Sequence, residues 1–369
     1  MGIKLNFDVD RWHKVEKNWS DWWEGGIARP LVMIQTLDTT VNADPSEFNI
    51  EFMLHKPVAE YIDYYQKRLE SIQYSGDAYP FWLPYLGPGI VAGFLGMPVT
   101  PSAEQLTVWF GTDKPVEYDD LHLRYDKDNL WWRRVLDATA TALDCWQDNV
   151  ALGHTDMGGV MDILASFRTT QQLLYDLYEC PESVIKCCRD ITQLWLRYYN
   201  EAYEIAKGTG RGTTFWAPLL CKGRGYMLQC DFSAMVSPKM FEQFVLDDLT
   251  TLCNSLDYAF YHLDGPGAVR HLEMLLSIKS LKGIQWVPGS GCPGHSNWLP
   301  LLKRIRDGGK LCQIYVSPRN ALLIDREIGS KGFVFYIVPE EPYTDEGLNE
   351  YFDVLADPQP FLRQLIKQD

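Results

Sequence analysis

The chain has 369 residues, 46% of them hydrophobic, and a formal net charge of −15. That length buries a sizeable core, as one large α/β domain or two ordinary ones, and the acidic balance lacks the basic stripe that a nucleic-acid binder needs. No run of apolar residues is long enough to span a membrane, and the polar opening MGIKLNFDVDRWHK lacks the apolar segment of a signal peptide.

In chain order, residues 8–24 read as a helix with Trp12, Trp19, Trp22 and Trp23 on or near one face, a pattern that covers a core. Strands are expected at 30–36, 76–82, 150–156 and 226–232, with helices over 56–74 and 129–146. Residues 98–128 are mixed and acidic, with short strands such as EQLTVWF. The span 160–208 is helical with a break at Pro181, which predicts two successive helices. Ser237 as N-cap and Pro238 at the first turn mark the start of a helix over 238–256. Strands at 258–263, 283–287, 311–316 and 332–338 then alternate with helices over 266–279, 296–310 and 319–329. This spacing predicts a parallel sheet with right-handed crossovers, and about eight strands predict closure as a (β/α)₈ TIM barrel. The expected organisation is an N-terminal helical extension over 1–28 and a single barrel over 29–369. An open doubly wound sheet is the alternative, although no strand ends in the G-x-G-x-x-G turn of its dinucleotide-binding form.

Barrels of this kind carry their chemistry at the C-terminal ends of the strands. Those ends hold Asp77, His154 with Asp156, Asp231, His262 with Asp264, Gln285 with Trp286, Tyr315, and Glu340 with Glu341. A mostly acidic ring can ligate a divalent cation or supply acid/base groups. Most members also have a structural reading: Asp77 as a turn or cap beside Gly76, Asp156 as the cap of a helix near Val160, His154 as a satisfied core histidine, Asp231 as a structural carboxylate, and Glu340-Glu341 as a solvated loop. His262-x-Asp264 points to function, because alternate residues of a strand share a face. Cys292, with His295 in GSGCPGHSNW, lies at the same rim and reads as a bystander thiol. The nine cysteines show no framework spacing and read as reduced, mostly buried thiols of a cytoplasmic protein. The chain has no G-x-S-x-G, H-E-x-x-H, C-x-x-C or P-loop motif.

Taken in order, RPLVMIQT, GDAYPFWLPYLGPGIVAGFLG, DMGGVMDILASFRTTQQLLYDLYECPESV, DFSAMVSPKMFEQFVLDDL and YHLDGPGAVRHLEMLLSIKSLKGIQWVPG resemble the uroporphyrinogen decarboxylase superfamily. The resemblance runs from about Arg29 onward and is closest to the corrinoid-dependent methyltransferase branch. It implies a (β/α)₈ barrel and, in that branch, a zinc site of His-x-Cys on one strand with a distant Cys at the end of the last. His262 matches the family histidine, Asp264 stands where the first cysteine would be, and Glu340 or Glu341 stands near the second. The decarboxylase branch follows its opening Arg-Pro with an arginine-bearing stretch that grips substrate carboxylates, whereas RPLVMIQTLDTT has no arginine after Arg29.

The combined expectation is a methyltransferase of O-demethylase type. It moves a methyl group from a small methoxylated substrate, aromatic in one version, to the cobalt of a corrinoid (cobalamin) carried by a separate protein. Zn²⁺ held by His262, Asp264 and Glu340 would activate the leaving oxygen, a role that suits a hard His/carboxylate set better than transfer to a thiol. Asp77, Asp156 and Tyr315 would be catalytic, and His154, Asp231, Gln285 and Trp286 would line the substrate site. The expected partners are the small substrate and the corrinoid protein, with homodimerisation left open. The alternatives are a metal-free lyase using Asp77 on a carboxylated substrate and a non-catalytic binder of a small ligand.

Overall fold

The computed structural model describes residues 2–38, 50–102, 104, 107–341 and 343–366. The chain divides into two units, one of Met1–Ile3, Pro45–Lys67 and Phe81–Ala259, the other of Lys4–Asp44, Arg68–Pro80 and Phe260–Asp369.

The second unit opens with α1 (Val9–Trp23), which starts where the Asp8 carboxylate accepts the Arg11 N–H. Trp12, Val15, Trp19 and Trp22 recur at helical spacing and are buried. Their rings meet Phe7 and Tyr79, and Trp22 and Trp23 meet Phe260. These tryptophans therefore build core, as their spacing predicts. β1 (Leu31–Leu37) pairs antiparallel with β2 (Ile72–Gly76). The latter corrects the expected helix over 56–74, which stops at Glu70. Gly76, at φ 67°, makes the turn out of β2, and a Cβ there would lie 2.1 Å from the Val32 carbonyl oxygen.

In the first unit, β3 (Phe81–Trp82) is followed by a hairpin of β4 (Val99–Ser102) and β5 (Thr107–Phe110). The expected strand EQLTVWF is seen from Thr107, since Gln105 and Leu106 lie outside the described residues. β6 (Ala151–Gly153) lies parallel between β3 and β7 (Thr213–Thr214), and β8 (Gly225–Leu228) follows. The helical span 160–208 is three helices, Val160–Arg168, Thr170–Glu179 and Pro181–Ala206. Pro181 makes the predicted break. Thr169 makes a second one at φ 60°, where its hydroxyl caps the next helix by accepting the Gln172 N–H. Ser237 caps Pro238–Phe244 as predicted, through the Met240 N–H.

β9 (Tyr258–Asp264) belongs to the second unit from Phe260 onward, followed by β10 (Leu281–Val287), β11 (Leu311–Val316) and β12 (Phe333–Ile337). The strand order in this unit is β2-β1-β12-β11-β10-β9, and β10, β11, β12 and β1 run parallel. Helices Leu299–Asp307 and Pro318–Ile328 make the crossovers from β10 to β11 and from β11 to β12. Burial on both faces of these strands matches a sheet covered by helices. Near the start of β9 and β10 the Phe260 ring fills the space beside Gly283, where a Cβ would come within 2.0 Å of it. The mixed α/β class and the parallel run agree with the sequence. Among the described residues no sheet closes as an eight-stranded ring, and β2 runs against its neighbour.

Candidate functional site

Tyr261 and Leu263 are buried on one face of β9, while His262 and Asp264, two residues apart on the other, keep partial exposure. A ring nitrogen of His262 and a carboxylate oxygen of Asp264 lie within 4.8 Å of one another. Gly265 turns the chain at φ 71° into a short helix, and the Asp264 side chain makes no capping hydrogen bond to it. The carboxylate is therefore not spent on the turn. The His262 Nδ1 hydrogen-bonds Oε1 of Gln285 on β10.

Glu340, the third expected ligand, is engaged elsewhere. Its Oε1 accepts the His295 backbone N–H at 2.5 Å and the His295 Nδ1–H at 2.8 Å. Its Oε2 accepts the Ser317 hydroxyl at 2.8 Å and the Asn320 amide. Burial alone would raise this carboxyl, but hydrogen bonds and charge from His295, with help from Asn320, bring it down to about 2. With four donors on two oxygens, Glu340 is a hub tying the loop after β10, the start of helix Pro318–Ile328 and the segment after β12. It is not gathered with His262 and Asp264. Cys292 is half-buried in the same glycine-rich loop, where its N–H donates to the Gly289 carbonyl.

Asp77 is likewise consumed by structure. Arg29 grips both its oxygens, at 2.7 and 2.9 Å, while Asn18 and the Val32 N–H also donate to it. The opening Arg-Pro is thus half of a buried ion pair that fixes β1 against the turn after β2. An acid/base role for Asp77 finds no unoccupied oxygen.

Gln285 and Trp286, adjacent on β10, point to opposite faces. Gln285 shares the face of His262. Trp286 packs behind the sheet at 4.9 Å from the Trp298 ring, in the core rather than beside His262. Gln313 on β11 stands in register with Gln285, and both are fully buried. Two residues on, Tyr315 continues the same face, with its ring 5.3 Å from that of Tyr336, whose hydroxyl donates to Gln35 at 2.9 Å.

In the first unit, His154 is buried among the rings of Tyr199, Tyr203 and Tyr226, and neither ring nitrogen has a hydrogen-bond partner. Burial holds its pKa at about 3, so it is neutral in the core and cannot act as an acid. Asp156 does not cap the helix at Val160, where the N-cap is Gly159; its carboxylate accepts the Gly158 N–H instead. Burial, with Asp231 and Asp162 nearby, pushes Asp156 up to about 7, where it can give and take a proton at neutral pH. Asp231 is exposed and starts a short 3₁₀ turn whose first N–H groups, those of Asp231 and Phe232, donate to Asp162 at 3.0 and 2.7 Å. Asp162, Asn320 and Gln313 were not singled out as site residues from the sequence, and His295 was named only beside Cys292. Of these, Gln313 alone carried a signal, the period-two spacing of Gln313 and Tyr315.

No family model matches the chain, and no curated protein matches it. Among solved structures it is similar to a methyltransferase from Methanosarcina mazei, with a TM-score of 0.58 at 12% sequence identity, covering 94% of this chain and 99% of that one. At this identity the likeness establishes a methyltransferase-like fold, without singling out the uroporphyrinogen decarboxylase superfamily.

Proposed function

We propose that the protein is a methyltransferase that binds a divalent metal at the end of β9 and demethylates a small methoxylated substrate. The observation that carries this reading is the His262–Asp264 pair, its ligand atoms within 4.8 Å on one face of the strand, in a fold shared with a solved methyltransferase. The parallel run β10-β11-β12-β1 with its crossover helices supports the (β/α)₈ class.

A nitrogen and a carboxylate oxygen side by side fit zinc, whose catalytic sites combine such ligands with an open position. Glu340 does not fit as a ligand, because its acceptor positions are occupied. When bound, the metal supplies Lewis acidity toward the leaving oxygen. His262 and Asp264 would hold it. Tyr315, on the same sheet face, would orient the substrate. In the transfer, the methyl carbon–oxygen bond breaks with its electron pair remaining on oxygen, which takes up a proton. The methyl group would pass to the cobalt(I) of a corrinoid carried on a separate protein.

Elemental analysis of the purified protein should return about one zinc per chain. His262→Ala and Asp264→Ala should lose both the metal and the methylation of reduced corrinoid by a methoxylated aromatic, followed by cobalt absorbance. A metal-free His262→Ala protein with wild-type turnover would sink the proposal.

A further inference from the structure

We infer that Gln285 is a positioning residue that holds His262 in the tautomer protonated at Nδ1, so that the lone pair of Nε2 serves the metal beside Asp264. The inference rests on the metal reading above. It starts from the hydrogen bond between His262 Nδ1 and Gln285 Oε1 across neighbouring strands. An amide oxygen can only accept, so Nδ1 must be the donor, and a neutral ring then carries its in-plane lone pair on Nε2. The opposite amide orientation would aim the Gln285 NH₂ at Nδ1, move the ring proton to Nε2 and close that nitrogen to a metal. Amide orientation therefore selects the ligand.

The amide is kept at a structural loss. Gln285 is fully buried between Ile284 and Trp286, and its Nε2 has no hydrogen-bond partner. Its in-register neighbour Gln313 is also fully buried, with neither amide atom partnered. A buried amide with an unpaired NH₂ is destabilising relative to an apolar side chain of the same shape. Packing alone would favour leucine or methionine at 285. The bond to His262 is what the amide provides, and such partners of ligating histidines fix ring orientation and tautomer.

The test uses the full chain labelled with ¹⁵N-histidine, stripped of metal, with the His262 resonances assigned by their loss in His262→Ala. Wild type should show His262 as the Nδ1–H tautomer. Gln285→Met, which keeps the shape but cannot accept, should shift it toward Nε2–H and weaken zinc binding about 10- to 100-fold. Gln285→Glu, which can accept, should restore the tautomer and most of the affinity. An Nε2–H tautomer in folded wild type overturns the inference even if Gln285→Met fails to fold. So does a Gln285→Met protein that keeps the Nδ1–H tautomer, or a Gln285→Glu protein that behaves like Gln285→Met. If the tautomer follows residue 285 while wild type binds no zinc, the metal reading fails and the positioning of His262 stands.

Discussion

Glu340 binds His295 twice, accepting its backbone N–H and its Nδ1–H on a single carboxylate oxygen. The two residues lie 45 apart in sequence, so the contact pins the glycine-rich loop after β10 to the segment after β12. This use of Glu340 separates a structural carboxylate from the His262–Asp264 pair.

The Glu340 carboxyl is held at about 2, below its ordinary 4.5. A depressed folded pKa contributes stability that is present above about pH 4.5 and is lost as pH falls toward 2. Glu340→Gln should therefore lower stability at pH 7, on the order of 1–3 kcal/mol after allowance for partial exposure. The gap to wild type should narrow as pH drops from 5 toward 2, read from thermal midpoints across that range. The variant should bind zinc as wild type does; weaker zinc binding with unchanged stability would return Glu340 to the ligand set.

Asp77 and Arg29 form a bidentate pair with the carboxylate buried. Removing one partner leaves the other charge uncompensated, at a cost of about 3–5 kcal/mol. Asp77→Asn should show this loss in urea unfolding. An Asp77→Asn protein of wild-type stability that has lost turnover would instead make Asp77 catalytic.

Asp156 titrates at about 7 in the folded chain against an ordinary 3.8. Here the folded state holds a proton that the unfolded state has released, so stability falls as pH rises through that window and levels off above it. Asp156→Asn removes the penalty. Its stability relative to wild type should grow between pH 4 and 8 by on the order of 2–4 kcal/mol. Denaturant midpoints at four pH values decide it, and a difference that does not change with pH excludes the raised pKa.

Strands β9 to β12 were legible because each is an apolar run bounded by turn residues, and the His262–Asp264 face followed from the period of two. Pro181 announced its helix break. Thr169 did not, since nothing local marks a threonine for a left-handed conformation. β2 was read as the end of a helix because its antiparallel partner, β1, is remote in sequence. The roles of Glu340 and Asp77 were hidden for the same reason. Ser317, Asn320 and His295 lie 23, 20 and 45 residues from Glu340, and Arg29 lies 48 from Asp77. The pKa of Asp156 depends on burial, which strand-end position alone does not specify.

The ring of Phe260 occupies the space that any side chain at 283 would need. Phe260 sits two residues before His262, and Gly283 two before Gln285. A side chain at 283 therefore requires a smaller residue at 260, while the positions two residues on are joined by the His262–Gln285 hydrogen bond. The spaced pattern F-x-H-x-D followed by G-x-Q gives a searchable signature for kin of this chain. Chains that keep the Phe and Gly but lose the His and Gln would have inherited the scaffold without this hydrogen bond.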